Sequence, residues 1–226
     1  MNYLIIEKEE WDRFLVNLIL SHTVFASVTD EFGQDYEMIR PENIQDISYN
    51  KPKPATPLKS FFLPVKENVT SGQSAGKPRI IIGVPNCDIE ALKILDEFYL
   101  DKEFTDIYYK NRRENTILIS SDCFGIQEHC HCLSYDIKPY STDIADLAIA
   151  YLNGKIALRV ITGKGEDFAK KLTAAAPDNN IASAIEKEHM ATEALLNEAN
   201  KGLPDSKTTG KLVMNAKEDV WKKRDY

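Results

Sequence analysis

The sequence predicts one α/β domain over residues 1–226, built on a mixed, partly parallel sheet flanked by helices. Three observations predict it. Two short apolar runs, Ile80 to Val84 and Thr116 to Ser120, enclose two stretches of helical spacing, the pattern of a crossover between parallel strands. Two further runs, Ile144 to Leu152 and Lys155 to Ile161, flank Asn153-Gly154, which supplies the positive φ angles of a two-residue hairpin turn. A long helical pattern then covers Asn180 to Lys201.

Taken in order, residues 1–49 read as an N-terminal α/β unit. Asn2 to Ile6 suits a strand, and Glu7 to Ser21 repeats Trp11, Phe14, Leu15, Leu18 and Ile19 at helical spacing. Thr23 to Thr29 and Tyr36 to Ile39 follow as a hairpin with Gly33 in its turn. Residues 50–78 form a Pro-rich connection, in which Pro52, Pro54, Pro57, Pro64 and Pro78 forbid a long regular element and SGQSAGK (71–77) reads as a flexible link. Within it, PLKSFFLP is expected to pack against the core as a short helix.

Residues 79–132 form the cysteine-bearing strand–helix–strand core. Ile80 to Val84 is β-branched as in a strand covered on both faces. Asn86 or Asp88 can cap a helix running to Leu100, with Ile89, Leu92, Leu95 and Phe98 or Tyr99 as its buried stripe. A second helix is expected from Phe104 to Arg113, where Arg112-Arg113 could stabilise its last carbonyls or contact an anionic group or partner. Residues 133–226 hold the hairpin and the remaining helices. Gly163-Lys164-Gly165 opens a helix over 166–175, and such a start can hold a phosphate. Neither G-x-G-x-x-G nor a Walker A sequence occurs. Ile181, Ala184, Ile185, Glu188, Thr192 and Leu195 give the long helix a mixed face whose charges read as solvated. The tail LVMNAKEDVWKKRDY begins another amphipathic segment and stops inside it, as the end of a truncated protein would.

Composition excludes several functions. A formal charge of −7 argues against nucleic acid, which needs surplus Lys and Arg. No apolar run approaches the ~20 residues of a membrane span. The N-terminus MNYLIIEKEEWDRF lacks a basic segment and a small-residue cleavage site, so a cytoplasmic location is expected. There, cysteines confined to residues 87–132 suggest a metal site or free thiols over disulfides. No distinctive carboxylate pair or nucleophile signature marks a catalytic residue.

Cys87 and Cys123 each follow a strand closely, which places both at the carboxyl edge of one sheet, where sites in such sheets lie. The Cys130-x-Cys132 pair has only to fold back over that edge. Four thiolates can hold a [4Fe–4S] cluster. Zinc would need the same four, with His129 and His131 as substitutes, although the C-x2–4-C pairs usual for structural zinc are missing. A metal-free reading also stands, since each cysteine alone suits a core.

These residues carry a resemblance. GVPNCDIEALKILDEFYL, DIYYKNRRE, ILISSDC and CHC resemble the iron–sulfur β subunits of cytoplasmic NiFe hydrogenases (sulfhydrogenases) and the related A subunit of anaerobic sulfite reductase, with PLKSFFLP a weaker match upstream. The resemblance implies one [4Fe–4S] cluster on Cys87, Cys123, Cys130 and Cys132. It implies electron relay between a flavin/NAD(P)H-binding subunit and a hydrogenase or sulfite reductase catalytic subunit. It also implies a ferredoxin-like domain with further clusters beyond Tyr226, absent from this sequence. The chain departs from the family at Asn86, near which an arginine is common, and at LSYDIKPY after Cys132. The rival expectation is a cluster-free or zinc-stabilised scaffold that docks partner subunits.

Overall fold

A computed structural model describes residues 3–31, 33–66, 77–172, 178–204, 207, 208 and 211. Its strands are β1 (Leu4–Glu7), β2 (Thr23–Asp30), β3 (Gly33–Met38), β4 (Arg79–Pro85), β5 (Thr116–Ser121), β6 (Leu147–Leu152) and β7 (Lys155–Val160). Its helices are α1 (Lys8–Ser21), α2 (Asn86–Tyr99), α3 (Ile107–Glu114), α4 (Gly163–Ala169) and α5 (Asn179–Ala199). Short 3-10 helices lie at Pro41–Asp46, Leu58–Phe61 and Cys132–Tyr135.

The strands form one sheet in the order β1-β7-β6-β5-β4-β2-β3. The four central strands, β6, β5, β4 and β2, run parallel, and both margins are antiparallel. The expected mixed α/β architecture with its hairpin and long C-terminal helix is therefore the observed one. Asn153 and Gly154 take φ of 53° and 78° in the hairpin turn.

Alternation along the strands divides the core. Ile80 and Ile82 join Trp11, Leu15 and Leu18 of α1 and Phe168 of α4 on one face. On the other face, Ile81 and Val84 pack with Ile89 and Leu92 of α2, Tyr109 of α3, and Leu58 and Phe62 of the Pro-rich connection. Ile181 and Ile185 of α5 cover Tyr3, Ile5, Ala150 and Ala157. Ile81 and Val84 share a face although three positions apart, because the register slips between Ile82 and Val84. Gly83 occupies that bulge at φ 86°, and a Cβ there would lie 2.9 Å from Ser27 Cβ.

Several expectations need correction. The first strand of the hairpin begins at Leu147, not Ile144. Just before it, the buried Asp146 carboxylate accepts hydrogen bonds from Leu118 N and Thr162 Oγ1. Neither Asn86 nor Asp88 caps α2, because tertiary partners claim both side chains: Asn86 Nδ2 donates to Lys138 O and Asp88 Oδ2 accepts from Leu58 N. Tyr99 packs inward while Phe98 is exposed. The second helix starts at Ile107, where Asp106 accepts from Tyr109 N as its cap, and leaves Phe104 exposed.

Of the two glycines that open α4, Gly165 is a packing position and Gly163 faces open space. A Cβ at Gly165 would lie 2.0 Å from Asp146 O, and Lys164 Nζ is spent on the carbonyls of Glu114 and Thr116. The expected residues 173–175 of this helix, Asn2, most of SGQSAGK and the segment 212–226 lie outside the described residues.

Candidate metal centre

The carboxyl ends of β4 and β5 lie side by side, with Val84 opposite Ser120 and Pro85 opposite Ser121. Cys87 follows β4 as the second residue of α2, and Cys123 follows β5. Cys130 and Cys132 return over the same edge. The structure brings all four together: they line one cavity of about 110 Å³, whose walls include Pro52, Lys53, Pro85, Asn86, Tyr135, Lys138, Pro139 and Leu196. All four are free thiols.

Local structure holds the cysteine loops in place. Phe124 N donates to Asn50 O at 2.9 Å, and Asn50 N donates to Ser121 Oγ at 2.8 Å. The Asn50 amide also pairs with the main chain of Tyr151, so the connection after β3 is tied to the ends of β5 and β6. His129 and Asp136, on either side of the Cys-x-Cys pair, take left-handed φ values of 67° and 58°. Such values are uncommon outside glycine and mark a conformation imposed by its surroundings.

The electrostatics are those of stored thiols. Burial, reinforced by Asp88 and Cys132, pushes Cys87 up to about 12. Burial pushes Cys123 well above its ordinary value, and Cys87, Asp122, Cys132 and Cys130 add to the effect. Cys132 is also raised, by burial and then by Cys130. These couplings place the four sulfurs within one another's electrostatic reach. The neighbouring backbone of Asp88 and of Leu133 partly offsets the rise at Cys87 and at Cys132. Gln127 N donates to Cys130 Sγ at 3.4 Å.

A tetrahedral zinc site draws four sulfurs to about 3.8 Å from one another around one ion, given Zn–S bonds of ~2.3 Å. Among the described residues, no group of three or more His, Cys, Asp or Glu side chains could hold a metal ion. The thiols instead border a cavity. A [4Fe–4S] cluster asks for thiolates arranged around a volume, each on a different iron, with amide hydrogen bonds to sulfur. Four thiols are the donor type that either group takes, and the sulfurs as placed are gathered on neither. Asn86 Oδ1, in the wall of the cavity, is buried without a hydrogen-bond partner.

The two histidines considered for zinc both line the cavity, yet both are exposed. His129 pairs with Glu128, and His131 Nδ1 lies against His129 O. Arg112 and Arg113 are not at this site. They contact Phe62 O and Asp96, and α3 feeds the opposite end of β5.

Sequence reasoning missed a buried polar group beside Cys123. Asp122 is 1% exposed, its Oδ2 lies 2.8 Å from His189 Nε2 on α5, and its Oδ1 lies 3.8 Å from Arg159 Nη2 on β7. The only available signal was the α5 periodicity. Its buried positions are Ile181, Ile185, His189, Thr192 and Leu196, whereas the expected Leu195 is exposed.

Fold and site together define an α/β domain with a four-thiol cavity at the carboxyl edge of its parallel strands. Among known proteins, the chain is similar to the sulfhydrogenase 2 subunit beta of Pyrococcus furiosus, a hydrogenase-type subunit, at 28% identity over 176 residues. The match covers 74% of this chain and 51% of that protein, so the chain spans about half the length of the curated relative it matches. No protein-family model and no solved structure matches. No helix among the described residues is long and apolar enough to cross a membrane.

Proposed function

We propose that this chain is an electron-transfer iron–sulfur subunit of a multisubunit oxidoreductase of hydrogenase or sulfite-reductase type. It relays electrons between a flavin/NAD(P)H-binding subunit and the catalytic subunit. The observation that carries this reading is the convergence of Cys87, Cys123, Cys130 and Cys132 on one cavity. Similarity to a sulfhydrogenase β subunit supports the oxidoreductase setting.

In this reading the four cysteines hold one [4Fe–4S] cluster, which supplies one-electron transfer when bound. The chain itself binds, orients and shields. Cys87, Cys123 and Cys132, held protonated by burial, must each release a proton on ligation, which makes loading pH-dependent. The Gln127 amide donates to Cys130 sulfur, a contact that would help set the potential of a bound cluster. Pro52, Pro85, Pro139 and Leu196 give the cavity an apolar wall, which Lys53 and the Glu193-paired Lys138 also line. No substrate chemistry is assigned to the domain.

Anaerobic reconstitution with iron and sulfide tests this. About four irons per chain are expected, one for each cysteine ligand, with an EPR signal on reduction that Cys→Ser at any of the four positions removes. Stoichiometric zinc without sulfide would sink the cluster reading and leave the scaffold alternative.

A further inference from the structure

In its first half, α5 covers the sheet with Ile181 and Ile185, as an ordinary packed helix does. In its second half the inward face turns polar, and each polar group there meets a segment that carries a cysteine. His189 Nε2 lies 2.8 Å from Asp122 Oδ2. Thr192 Oγ1 accepts from Gly125 N at 2.9 Å. Glu193 Oε1 accepts from Lys138 Nζ at 2.9 Å and from the Tyr140 hydroxyl at 3.2 Å. Leu196 enters the cavity wall. Positions 189, 192, 193 and 196 follow the i, i+3, i+4, i+7 spacing of one helix face.

The partners bracket the site. Asp122 and Gly125 flank Cys123, and Lys138 and Tyr140 lie on the return from Cys132. Arg159 reaches Asp122 across β6, where its directly paired neighbour is Ala148, a side chain too small to block the passage. The Tyr140 ring stacks on His189 with centroids 4.0 Å apart. Asp122 and His189 are 1% and 4% exposed. Burying such a pair stabilises a fold no better than apolar residues of the same volume would, because desolvation offsets the attraction. Generic packing of α5 therefore does not account for this face.

We propose that His189, Thr192 and Glu193 are positioning residues for the thiol site, through which α5 fixes the 122–125 turn and the 138–140 return so that Cys123 stays inside the cavity. The effect on a bound cluster rests on the preceding functional reading; the effect on the thiol does not.

The test uses the full chain in three forms besides wild type. His189→Leu removes the contact to Asp122. His189→Gln keeps an N–H donor near the position of Nε2. Thr192→Val is nearly isosteric and removes the acceptor for Gly125 N. In the reduced, metal-free protein, iodoacetamide labelling is followed by peptide mapping. Cys123 is expected to label about tenfold faster in His189→Leu and Thr192→Val, as loss of one hydrogen bond shifts a local opening equilibrium. His189→Gln should stay near wild type in both labelling and melting temperature, Thr192→Val should melt close to wild type, and His189→Leu should melt lower because it leaves the buried Asp122 carboxylate without its partner. After anaerobic loading with iron and sulfide, the EPR signature and midpoint potential should move in the first two variants and return in His189→Gln.

Unchanged Cys123 protection in both His189→Leu and Thr192→Val would overturn the proposal. So would an equal rise at all four cysteines together with a large fall in melting temperature, which would make α5 a cover only. If the chain takes up no cluster, the functional reading fails and the labelling arm still decides this one. If His189→Leu does not fold, Thr192→Val decides.

Discussion

Each thiol of the site is defined by what surrounds it, and that surrounding has a measurable consequence. An unfolded cysteine titrates near ~8.5, whereas burial holds Cys87 near about 12 and Cys123 also well above the ordinary value. Between those limits the folded state keeps protons that the unfolded chain has released. Stability therefore falls as pH rises above ~8.5 and goes on falling toward the folded value. The metal-free protein is expected to melt at steadily lower temperature as pH is raised from 8 to 10.5, and Cys87→Ser should flatten that dependence. Parallel curves for the two proteins would show that burial of Cys87 is not the cause. The cysteines were legible in the sequence because four of them crowd one stretch between two strand patterns. Asp122, His189 and Arg159 were not, because each is an ordinary residue until the fold closes a separation of 67 positions between the first two.

Elements were legible where local preference and tertiary demand agree. The β-branched run of β4 and the Asn153-Gly154 turn were read correctly, since both are fixed by their own backbone chemistry. The capping of α2 was misread because the fold diverts the expected side chains: Asn86 reaches Lys138 O and Asp88 reaches Leu58 N. The bulge in β4 was also invisible, yet it sets the site. Without the extra residue at Gly83, Val84 would leave the face that packs on α2, and the start of α2 with Cys87 would be turned away. Gly83→Ala is expected to destabilise by about 1–3 kcal/mol, the usual cost of a non-glycine residue in such a backbone conformation, with added crowding against Ser27 Cβ. Urea denaturation measures the loss, and thiol labelling should show Cys87 more accessible. An unchanged denaturation midpoint would mean that the bulge relaxes without cost.

For the molecule as a whole, the parallel crossover from β4 to β5 follows from the pattern of elements, but the strand order does not. Nothing in the local sequence announces that β2 pairs with β4 or that β1 pairs with β7. That order places β4 and β5 inside the sheet, so their carboxyl ends are overhung by the connection at Asn50, the loop after Cys123 and α5. Three separate parts of the chain, the start of α2, the end of β5 and the Cys-x-Cys loop, then meet at one cavity, which a group bound to all four sulfurs would cross-link. A group that binds the native arrangement and not the unfolded chain raises stability by mass action. Loading with iron and sulfide should therefore raise the melting temperature, by about 2–4 °C for each kcal/mol of net binding in a domain of this size. It should also protect the 124–137 segment from limited proteolysis, since Cys130 and Cys132 tether that segment to the sheet edge. Cys130→Ser should lose both effects while keeping the metal-free melting temperature of wild type. Equal cleavage of loaded and metal-free chains would show that the four thiols do not act as one site.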